Sequence, residues 1–314
     1  MKVLVTGCAG FIGSHVCERL CKLGHIVVGV DNMNDYYDVS VKQLNVELLK
    51  KYDNFRFIKK DVCELYLEEF VPDSICHLAS MAGVRYSIKH PGLYVSQNIG
   101  GFINILENAR RLGVRHVVYA SSSSVYGLNE TPFREADLIE KCNSPYACSK
   151  RSMEIFASTY SRLYDMSLIG LRFFTVYGPR GRPDMAPYKF MKAILEGETF
   201  NVYGDGSSSR DYTYIDDIVS GVLSAIENKR DIKCSVYNLG NSKPIRLLEF
   251  IKLIERVTGK RAIYENIGEQ LGDVPDTYAD INRAIIDLDY KPSVSLEDGL
   301  TQLYEWFNTV MCKK

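Results

Sequence analysis

The 314-residue chain predicts an α/β fold, in which a mostly parallel, doubly wound sheet is followed by a smaller α/β lobe. Short β-branched, apolar runs alternate with segments whose apolar residues recur at helical spacing. The first apolar run leads directly into three glycines spaced three residues apart. Because 46% of the residues are apolar, the chain can fill the core of a sheet that helices cover on both faces.

The first elements read as strand, glycine turn, helix and strand. Lys2–Thr6 is apolar and β-branched, and apolar residues recur at helical spacing from Ile12 onward. Gly24 is a candidate for the end of this helix, and Ile26–Val30 predicts the second strand. This order is typical of a mononucleotide-binding βαβ unit.

The glycine turn and the end of the second strand predict a cofactor site. Gly7, Gly10 and Gly13 would let the backbone approach a pyrophosphate at the helix N-terminus, although glycines alone also suit an ordinary tight turn. Asp31 could accept a hydrogen bond from a ribose 2′-hydroxyl and would repel a 2′-phosphate. We therefore expect NAD rather than NADP.

Later segments continue the alternation. The region 94–112 predicts a helix with Asn98 on its apolar face, and the pattern changes after Phe174 to a loop over residues 178–183 and shorter elements. Further strands are predicted at Phe55–Ile58, Ile75–Leu78, Val117–Ala120, Leu168–Phe173 and Ser235–Leu239, and further helices at Asp216–Asn228, Leu247–Thr258, Ile281–Leu288 and Leu296–Thr309.

Charge and cysteine usage narrow the functional classes. A net charge of -1, from 38 basic and 39 acidic residues, gives no electrostatic reason to expect nucleic acid or a membrane as partner. The nine cysteines form no CxxC pair, so we expect free thiols, no metal site and a reducing compartment. No apolar run approaches the length of a membrane span. A cytoplasmic protein acting on small molecules is the expectation.

The candidate catalytic residues lie in two stretches. A strand over residues 115–120 would deliver the serines of 121–124 to the carboxyl edge of the sheet, and Tyr146 and Lys150 would lie one turn apart on a following helix. A phenol titrates near 10, so Tyr146 needs nearby positive charge, from Lys150 and a nicotinamide ring, to act as a base. Tyr146 could then take a proton from a hydroxyl group that Ser122 also binds.

A second YxxxK pattern tests how specific this signal is. Tyr188 and Lys192 have the same spacing, but no serine-bearing strand precedes them. We expect these two residues to serve helix packing or the protein surface.

Motifs along nearly the whole chain resemble those of the extended short-chain dehydrogenase family of nucleotide-sugar enzymes. They are Gly7 to Gly13, Asp31, Asp61-Val62, His77 to Ala79, Ser121 to Gly127, Tyr146 to Lys150 and Arg172 to Pro179. Within that family, residues 82–87 and 181–186 are similar to those of UDP-glucuronate 4-epimerases. The resemblance implies a homodimer through the helices near 94–112 and 145–164.

The resemblance also implies roles for individual residues. Residues 1–173 would form the NAD-binding Rossmann domain, with 210–240 returning to it, and 174–209 with 241–314 the UDP-sugar lobe. Catalysis would fall to Ser122, Tyr146 and Lys150. The implied cofactor contacts are Gly7, Gly10, Phe11, Ile12, Gly13, Asp31, Asp61, Val62, Leu78, Ala79, Asn98, Tyr146, Lys150, Phe173 and Val176, and the substrate contacts Arg85, Ser123, Ser124, Thr175, Arg182, Arg210 and Asp273.

Departures from sibling enzymes indicate the reaction. Ser123 and Ser124 stand where 4,6-dehydratases have Asp-Glu and where UDP-glucuronate decarboxylases have Glu, so both reactions are disfavoured. Galactose epimerases usually have Asn at the position of Thr175 and an arginine at that of Gln270. Without that arginine, Arg210 and Arg85 would carry more of the diphosphate charge.

The substrate carboxylate poses a chemical problem. Oxidation of C4 of a glucuronate gives a β-keto acid, which loses CO2 when the C5–C6 bond stands perpendicular to the carbonyl plane. Ser123, Ser124 and Thr175 could hold the carboxylate away from that geometry, with Arg182 as partner directly or through its loop. Alternatively these hydroxyls cap strand and helix ends.

The sequence therefore predicts an NAD-dependent isomerase that converts UDP-glucuronate to UDP-galacturonate by transient oxidation of C4. A 4-epimerase of UDP-glucose or UDP-N-acetylglucosamine and a UDP-glucuronate decarboxylase remain as alternatives. A protein that only binds NAD(H) would have no use for the phenol and ammonium pair.

Overall fold

The computed structural model describes residues 1–68, 70–228, 230–268 and 272–311. The strands in chain order are β1 (Lys2–Thr6), β2 (Ile26–Asp31), β3 (Phe55–Lys59), β4 (Ser74–His77), β5 (His116–Ser122), β6 (Ser167–Phe173), β7 (Thr175–Tyr177), β8 (Thr199–Tyr203), β9 (Ser209–Tyr214), β10 (Cys234–Leu239), β11 (Pro244–Arg246) and β12 (Ile263–Ile267). The helices are α1 (Phe11–Lys22), α2 (Val39–Leu49), α3 (Val84–Lys89), α4 (Pro91–Tyr94), α5 (Gly101–Leu112), α6 (Pro145–Tyr164), α7 (Ala186–Glu196), α8 (Ile215–Glu227), α9 (Leu247–Thr258), α10 (Asn282–Leu288) and α11 (Leu296–Met311).

One large sheet organises the molecule. Seven of the described strands pair in parallel in the order β3-β2-β1-β4-β5-β6-β10. The chain moves outward from β1 to β3 and then returns to the other side of β1 at β4, so the strand order reverses between these two strands. The predicted doubly wound parallel sheet is thus confirmed, and the reversal places a ligand crevice at its carboxyl edge.

Helices cover both faces of this sheet, because side chains of each strand alternate between the faces. On β1, Val3 and Val5 belong to the apolar cluster that includes the buried faces of α1 and α8. Leu4 lies in a second cluster with α5 and α6. The strands are apolar on both sides, as expected for a buried parallel sheet.

Two smaller sheets follow β6 in the chain. Strands β11, β9 and β7 form one, and β12 and β8 form the other. Helices α7, α9 and α11 pack with them, and Phe190, Phe250 and Phe307 of these helices belong to the same apolar cluster as Val5 of the large sheet. The core on that face therefore runs without interruption into the smaller sheets.

The sequence-based elements agree closely with the structure. Helix α9 has the predicted bounds, and β5 begins at His116 and runs on to Ser122. Helices α2 and α7 and the strands of the smaller sheets were not predicted. Most of β12 is exposed, so it lacks the apolar alternation that identifies a strand in sequence.

The helix predicted over residues 94–112 is present but not uniform. Between α4 and α5, Val95–Gly100 forms a π-helical turn. Such turns are often found at functional sites. Gly101 follows it, where a Cβ atom would lie 2.8 Å from Val62 Cγ2, so a side chain there would push the helix away from the region after β3. No helix among the described residues is long and apolar enough to span a lipid bilayer.

Candidate active site

The carboxyl ends of the central strands open into one cleft. In register, Thr6 lies opposite His77, and Ser122 lies opposite Phe173. The cavity at this edge has a volume of about 350 Å³, which lies within the range of small-molecule sites. Eighteen of the predicted site residues line it: Gly7, Gly10, Phe11, Ile12, Gly13, Asp31, Val62, Leu78, Ala79, Ser122, Ser123, Ser124, Tyr146, Lys150, Phe173, Thr175, Val176 and Arg182.

The turn after β1 requires its glycines. Gly7 has a φ of +72°, and a Cβ atom on it would lie 2.7 Å from the backbone nitrogen of Ala79. A Cβ atom on Gly13 would overlap the carbonyl oxygen of Gly7. Gly10 precedes α1 without a side-chain cap, and the first turn of α1 has no acidic residue. The backbone N–H groups in the first turn of α1 therefore remain available to an anion such as a pyrophosphate.

Acidic side chains border the cleft at the ends of β2 and β3. Asp31 Oδ2 accepts a hydrogen bond from Ala9 N at 3.2 Å, and Lys42 Nζ lies 3.8 Å from Asp31 Oδ1. Asp61 accepts from Asn32 Nδ2 at 2.9 Å. Burial tends to raise the pKa of Asp61, but hydrogen bonds from Asn32 and Cys63 lower it overall, which favours the carboxylate. Asp61 lies beside the cavity wall formed by Val62.

The three residues predicted to be catalytic, Ser122, Tyr146 and Lys150, come together at the opposite wall. Helix α6 begins at Pro145, and the Ser144 hydroxyl caps it by accepting from Ala147 N at 3.1 Å. The hydroxyl of Ser122, at the end of β5, shares a hydrogen bond with the Tyr146 phenol. Lys150 Nζ lies 6.0 Å from the centre of the Tyr146 ring and donates to the carbonyl of Ala120 at 2.8 Å.

Burial dominates the protonation of this trio. It raises the pKa of the Tyr146 phenol, and neither the hydrogen bond to Ser122 nor the charge of Arg182 compensates. Burial also lowers the pKa of Lys150 to about 7. The expected lowering of the Tyr146 pKa by Lys150 is not seen, because the same loss of water weakens both charged forms. For Tyr146 to act as a base, we therefore expect further positive charge to be needed in the cleft.

The serine stretch beyond β5 forms a single 3-10 turn, Ser123–Tyr126. The Ser122 hydroxyl caps this turn by accepting from Ser124 N at 3.1 Å. Among the described residues, the hydroxyls of Ser123 and Ser124 form no hydrogen bond. Both serines line the cavity, as does Thr175 at the start of β7.

Arg182 also reaches this end of the cleft. Its Nε donates to Asp184 Oδ1 at 3.0 Å, and its Nη2 donates to Asp184 Oδ2. This bidentate pair fixes the plane of the guanidinium. The sequence did not identify Asp184, two residues further along the loop.

Asn98 lies behind the cavity wall. Its side chain is fully buried and bonds Met81 N at 2.7 Å, Met81 O at 3.0 Å and Ser149 Oγ at 2.9 Å. Ser149 in turn bonds the Tyr146 carbonyl. Both amide hydrogens of Asn98 are used in these bonds, so in this structure Asn98 supports the start of α6, and its contact with a cofactor stays a prediction.

The remaining predicted substrate residues form a second group beyond the cavity. Arg85 Nη2 and Asp273 Oδ2 are 2.8 Å apart, and the Arg85 guanidinium stacks 4.4 Å from the centre of the Tyr203 ring. Arg210 donates to the carbonyl of Pro275, close to Asp273 in sequence, at 2.9 Å. Gln270 lies outside the described residues.

The second YxxxK pattern is an ordinary helix surface, as predicted. Tyr188 of α7 packs 4.7 Å from the Phe307 ring centre, and Lys192 Nζ lies 3.6 Å from Glu196 of the same helix.

The sequence analysis missed the segment between β2 and α2. Asn34 and Tyr36 of this segment line the same cavity, as does Lys42 of α2, and the Tyr36 hydroxyl reaches Asp184. The signal was present as a run rich in amide and phenol side chains, Asn32-Met33-Asn34-Asp35-Tyr36-Tyr37.

Comparison with known proteins identifies the family. The model of the "NAD dependent epimerase/dehydratase family" matches residues 3–240. A UDP-glucuronate 4-epimerase of Thermodesulfobacterium geofontis is 41% identical, with 96% of this chain and 95% of that protein covered. A crystal structure of UDP-glucuronic acid 4-epimerase from Bacillus cereus, in complex with UDP-glucuronic acid and NAD, has a TM-score of 0.95 at 37% identity, covering 99% of this chain and 100% of that chain.

A sibling with another substrate is also similar. The UDP-glucose 4-epimerase of Thermotoga maritima has a TM-score of 0.88 at 32% identity, covering 99% of this chain and 100% of that chain. Because the family model matches most of the sequence and the relatives align along nearly its whole length, the chain belongs to the NAD dependent epimerase/dehydratase family.

Proposed function

We propose that the protein is an NAD-dependent isomerase that converts UDP-glucuronate to UDP-galacturonate by transient oxidation of C4. One observation carries this proposal: Tyr146, bonded to Ser122, faces a cavity that the glycine turn opens into, and two serines rather than acids follow Ser122. The Bacillus cereus relative, which was crystallised with UDP-glucuronic acid and NAD, supports the same substrate and cofactor.

The residues present fit NAD. The turn has no room for a side chain at Gly7 or Gly13 and little at Gly10, and it exposes the N-terminus of α1, which suits the pyrophosphate. Asp31 would bind the adenosine ribose, and Phe173 and Val176 would lie against the nicotinamide. Around these we place Phe11, Ile12, Asp61, Val62, Leu78 and Ala79. Bound NAD supplies the acceptor, and later the donor, of the C4 hydride.

The chain's own residues manage the proton. Tyr146 takes the proton of the C4 hydroxyl, and Ser122 binds the same oxygen so that the proton is transferred along a hydrogen bond. When protonated, Lys150 would hold positive charge near the phenolate. After the keto sugar turns over in the cleft, Tyr146 returns the proton to the oxygen of the opposite C4 configuration.

The hydroxyls of Ser123, Ser124 and Thr175 would bind the substrate carboxylate. The alternative, that they only cap ends of elements, is less well supported because the hydroxyl that caps the serine turn belongs to Ser122. Hydrogen bonds to a charged group contribute roughly 1.5–3 kcal/mol each. Arg182, with Asp184 beside it, adds a cation near the same position and so stabilises the carboxylate against loss as CO2.

We place the UDP group at the outer residues. Arg85 and Arg210 would bind the diphosphate, and Asp273 would bind the nucleoside side. The division that suits this arrangement has residues 1–173 and 210–240 as the NAD-binding domain. The segments 174–209 and 241–314 then form the substrate lobe.

A homodimer in the cytoplasm completes the proposal. Helix α6 and the π-helical turn before α5 carry exposed apolar side chains that a partner copy would cover: Val95, Ile155, Phe156, Leu163 and Tyr164. The described cysteines are free thiols, and Cys148 and Cys234 are exposed, which suits a reducing compartment. Cys312 lies outside the described residues.

Product analysis tests the reaction. Purified protein with NAD is incubated in parallel with UDP-glucuronate, UDP-glucose and UDP-N-acetylglucosamine, and the products are identified by NMR. We expect UDP-galacturonate from the first substrate and little conversion of the other two. Conversion of the neutral sugars alone, or release of a 4-keto pentose, would overturn the proposal in favour of a hexose epimerase or a decarboxylase respectively.

A further inference from the structure

The segment over residues 32–38 connects the cofactor end of the cleft to its sugar end. At its start, Met33 N donates to Asp31 Oδ1 at 2.8 Å, and Asn32 Nδ2 donates to Asp61 Oδ2 at 2.9 Å. Lys42 Nζ donates a hydrogen bond to Asn34 Oδ1 at 3.0 Å. The segment is thus fixed beside the site proposed for the adenosine ribose before it crosses the cleft.

Tyr36 forms the far end of this connection. Its hydroxyl donates to Asp184 Oδ2 at 3.2 Å, and its ring packs edge-to-face on Tyr86 with the ring centres 5.1 Å apart. A Cβ atom on Gly83 would overlap the Tyr36 hydroxyl, and Gly83 has a φ of +94°. The phenol therefore fills a gap between the loop that carries Gly83 and the loop that carries Asp184.

Asp184 is shared by Tyr36 and Arg182. Burial tends to raise the pKa of Asp184, but Arg182 lowers it overall, so Asp184 is a carboxylate that accepts from both neighbours. The Arg182 guanidinium also lies 5.7 Å from the centre of the Tyr36 ring. Tyr36 thus contacts both members of the ion pair, Asp184 through its hydroxyl and Arg182 through its ring, and restricts their movement.

We propose that Tyr36 is a positioning residue that fixes Arg182, through Asp184, toward the carboxylate of the sugar substrate. The inference rests on the proposed function, and it assigns a specificity role to the segment between β2 and α2. A guanidinium whose partner is free to turn would follow the carboxylate into the geometry that favours CO2 loss. In that side reaction the C5–C6 bond breaks, its electron pair enters the C4 carbonyl as an enolate, and C5 takes up a proton.

The first test compares two matched phenol variants. Tyr36→Phe keeps the ring but removes the bond to Asp184, whereas Tyr86→Phe removes the hydroxyl of its ring partner, for which the described residues show no hydrogen bond. For Tyr36→Phe we expect KM for UDP-glucuronate to rise about tenfold, as for a lost bond to a charged group, with a smaller fall in kcat. The share of 4-keto pentose among the products should also rise. Tyr86→Phe should match wild type in all three readouts.

A double-mutant cycle separates positioning from a general structural defect. If Tyr36 acts through Asp184, adding Tyr36→Phe to Asp184→Asn should change KM and product share little further. Additive effects, or equal behaviour of Tyr36→Phe and Tyr86→Phe in an active enzyme, would overturn the inference alone. A wild-type protein that leaves UDP-glucuronate unchanged would overturn the proposed function and this inference together. Thermal melts of each variant identify any loss of folding.

Discussion

Two buried cations lie against the same helix, α6, and their surroundings move their pKa values in opposite directions. Among the described residues, the ammonium of Lys150 has no carboxylate partner and donates to the carbonyl of Ala120, and burial lowers its pKa to about 7. Burial also disfavours the charged form of Arg172, yet hydrogen bonds and the charge of Glu154 raise the pKa of Arg172 overall. Glu154 and Lys150 are one helical turn apart.

The difference lies in the counter-ion. Arg172 Nε and Nη2 each donate to Glu154 at 2.8 Å, and its Nη1 donates to the Tyr126 hydroxyl at 2.8 Å. Glu154 also accepts a hydrogen bond from the hydroxyl of Ser121, the neighbour of Ser122, at 2.6 Å. A paired cation thus holds β5, β6 and α6 together, while an unpaired one is left able to titrate beside the phenol.

The largest expected effect concerns the phenol of Tyr146, which lies beside Lys150. Tyr146→Phe removes the group that transfers the C4 proton, and general acid–base catalysis typically contributes 10²–10⁴-fold, so we expect kcat to fall by about 10³-fold. Tyr264→Phe, at an exposed phenol of β12, is the matched control and should retain full activity. NMR of UDP-galacturonate formation measures the rates, and a cofactor assay checks that NAD remains bound. Turnover near that of wild type would refute the assignment of the base.

Changes to the pair of Arg172 and Glu154 should lower the stability of the protein rather than alter its catalytic chemistry directly. Glu154→Gln leaves Arg172 as a buried cation without a carboxylate, and we expect the free energy of unfolding to fall by about 3–5 kcal/mol. Glu47→Gln breaks an exposed pair with Lys50 and should cost less than about 1 kcal/mol.

Denaturant unfolding measures both variants. Adding Arg172→Met to Glu154→Gln should restore part of the lost stability, because it removes the unpaired charge. If Glu154→Gln were no worse than Glu47→Gln, the pair would have no structural role.

The last effect is spread over several pH units and is small within any one of them: a pH dependence of stability that arises from Lys150. Its pKa falls from 10.5 in the unfolded chain to about 7 in the folded protein, so between these values the unfolded state binds the extra proton. Stability should therefore increase with pH across this window, by at most about 1.4 kcal/mol per pH unit from this group. Below pH 7 the contribution of Lys150 to the slope should vanish.

Unfolding free energies of wild type and Lys150→Met between pH 6 and 10 isolate this contribution. The difference between the two curves should change across the window, since the methionine variant lacks the titrating group. Parallel curves would mean that Lys150 retains an ordinary pKa, and that the contrast with Arg172 is wrong.

The arrangement around Lys150 could be predicted from the sequence, because it depends on the order of the strands and on spacing within one helix. Ser122, Tyr146 and Lys150 could be brought together in advance because parallel strands share a carboxyl edge and residues four apart share a helix face. The Glu154 and Arg172 pair could not be predicted, since it joins a helix to a strand whose alignment depends on packing. The same holds for Tyr36 and Asp184, which are 148 residues apart.

The direction of the Tyr146 pKa was also beyond sequence. The spacing of Tyr146 and Lys150 indicates proximity, but it does not tell how much water the surrounding fold removes. Here the loss of water outweighs the hydrogen bond to Ser122 and the charge of Arg182. The π-helical turn at Val95–Gly100 escaped detection for a similar reason, because its apolar pattern is that of a regular helix.

The uninterrupted apolar core bears on how an epimerase of this kind can work. Val5 of the large sheet belongs to the same apolar cluster as Phe190, Phe250 and Phe307 of the smaller region. The large sheet and the smaller sheets therefore share one continuous core. Opening the walls apart would expose that core to water. The rotation that presents both faces of C4 to the cofactor must then be a motion of the bound sugar. We therefore expect the protein on both sides of the cleft to stay fixed while the 4-keto sugar turns over between them.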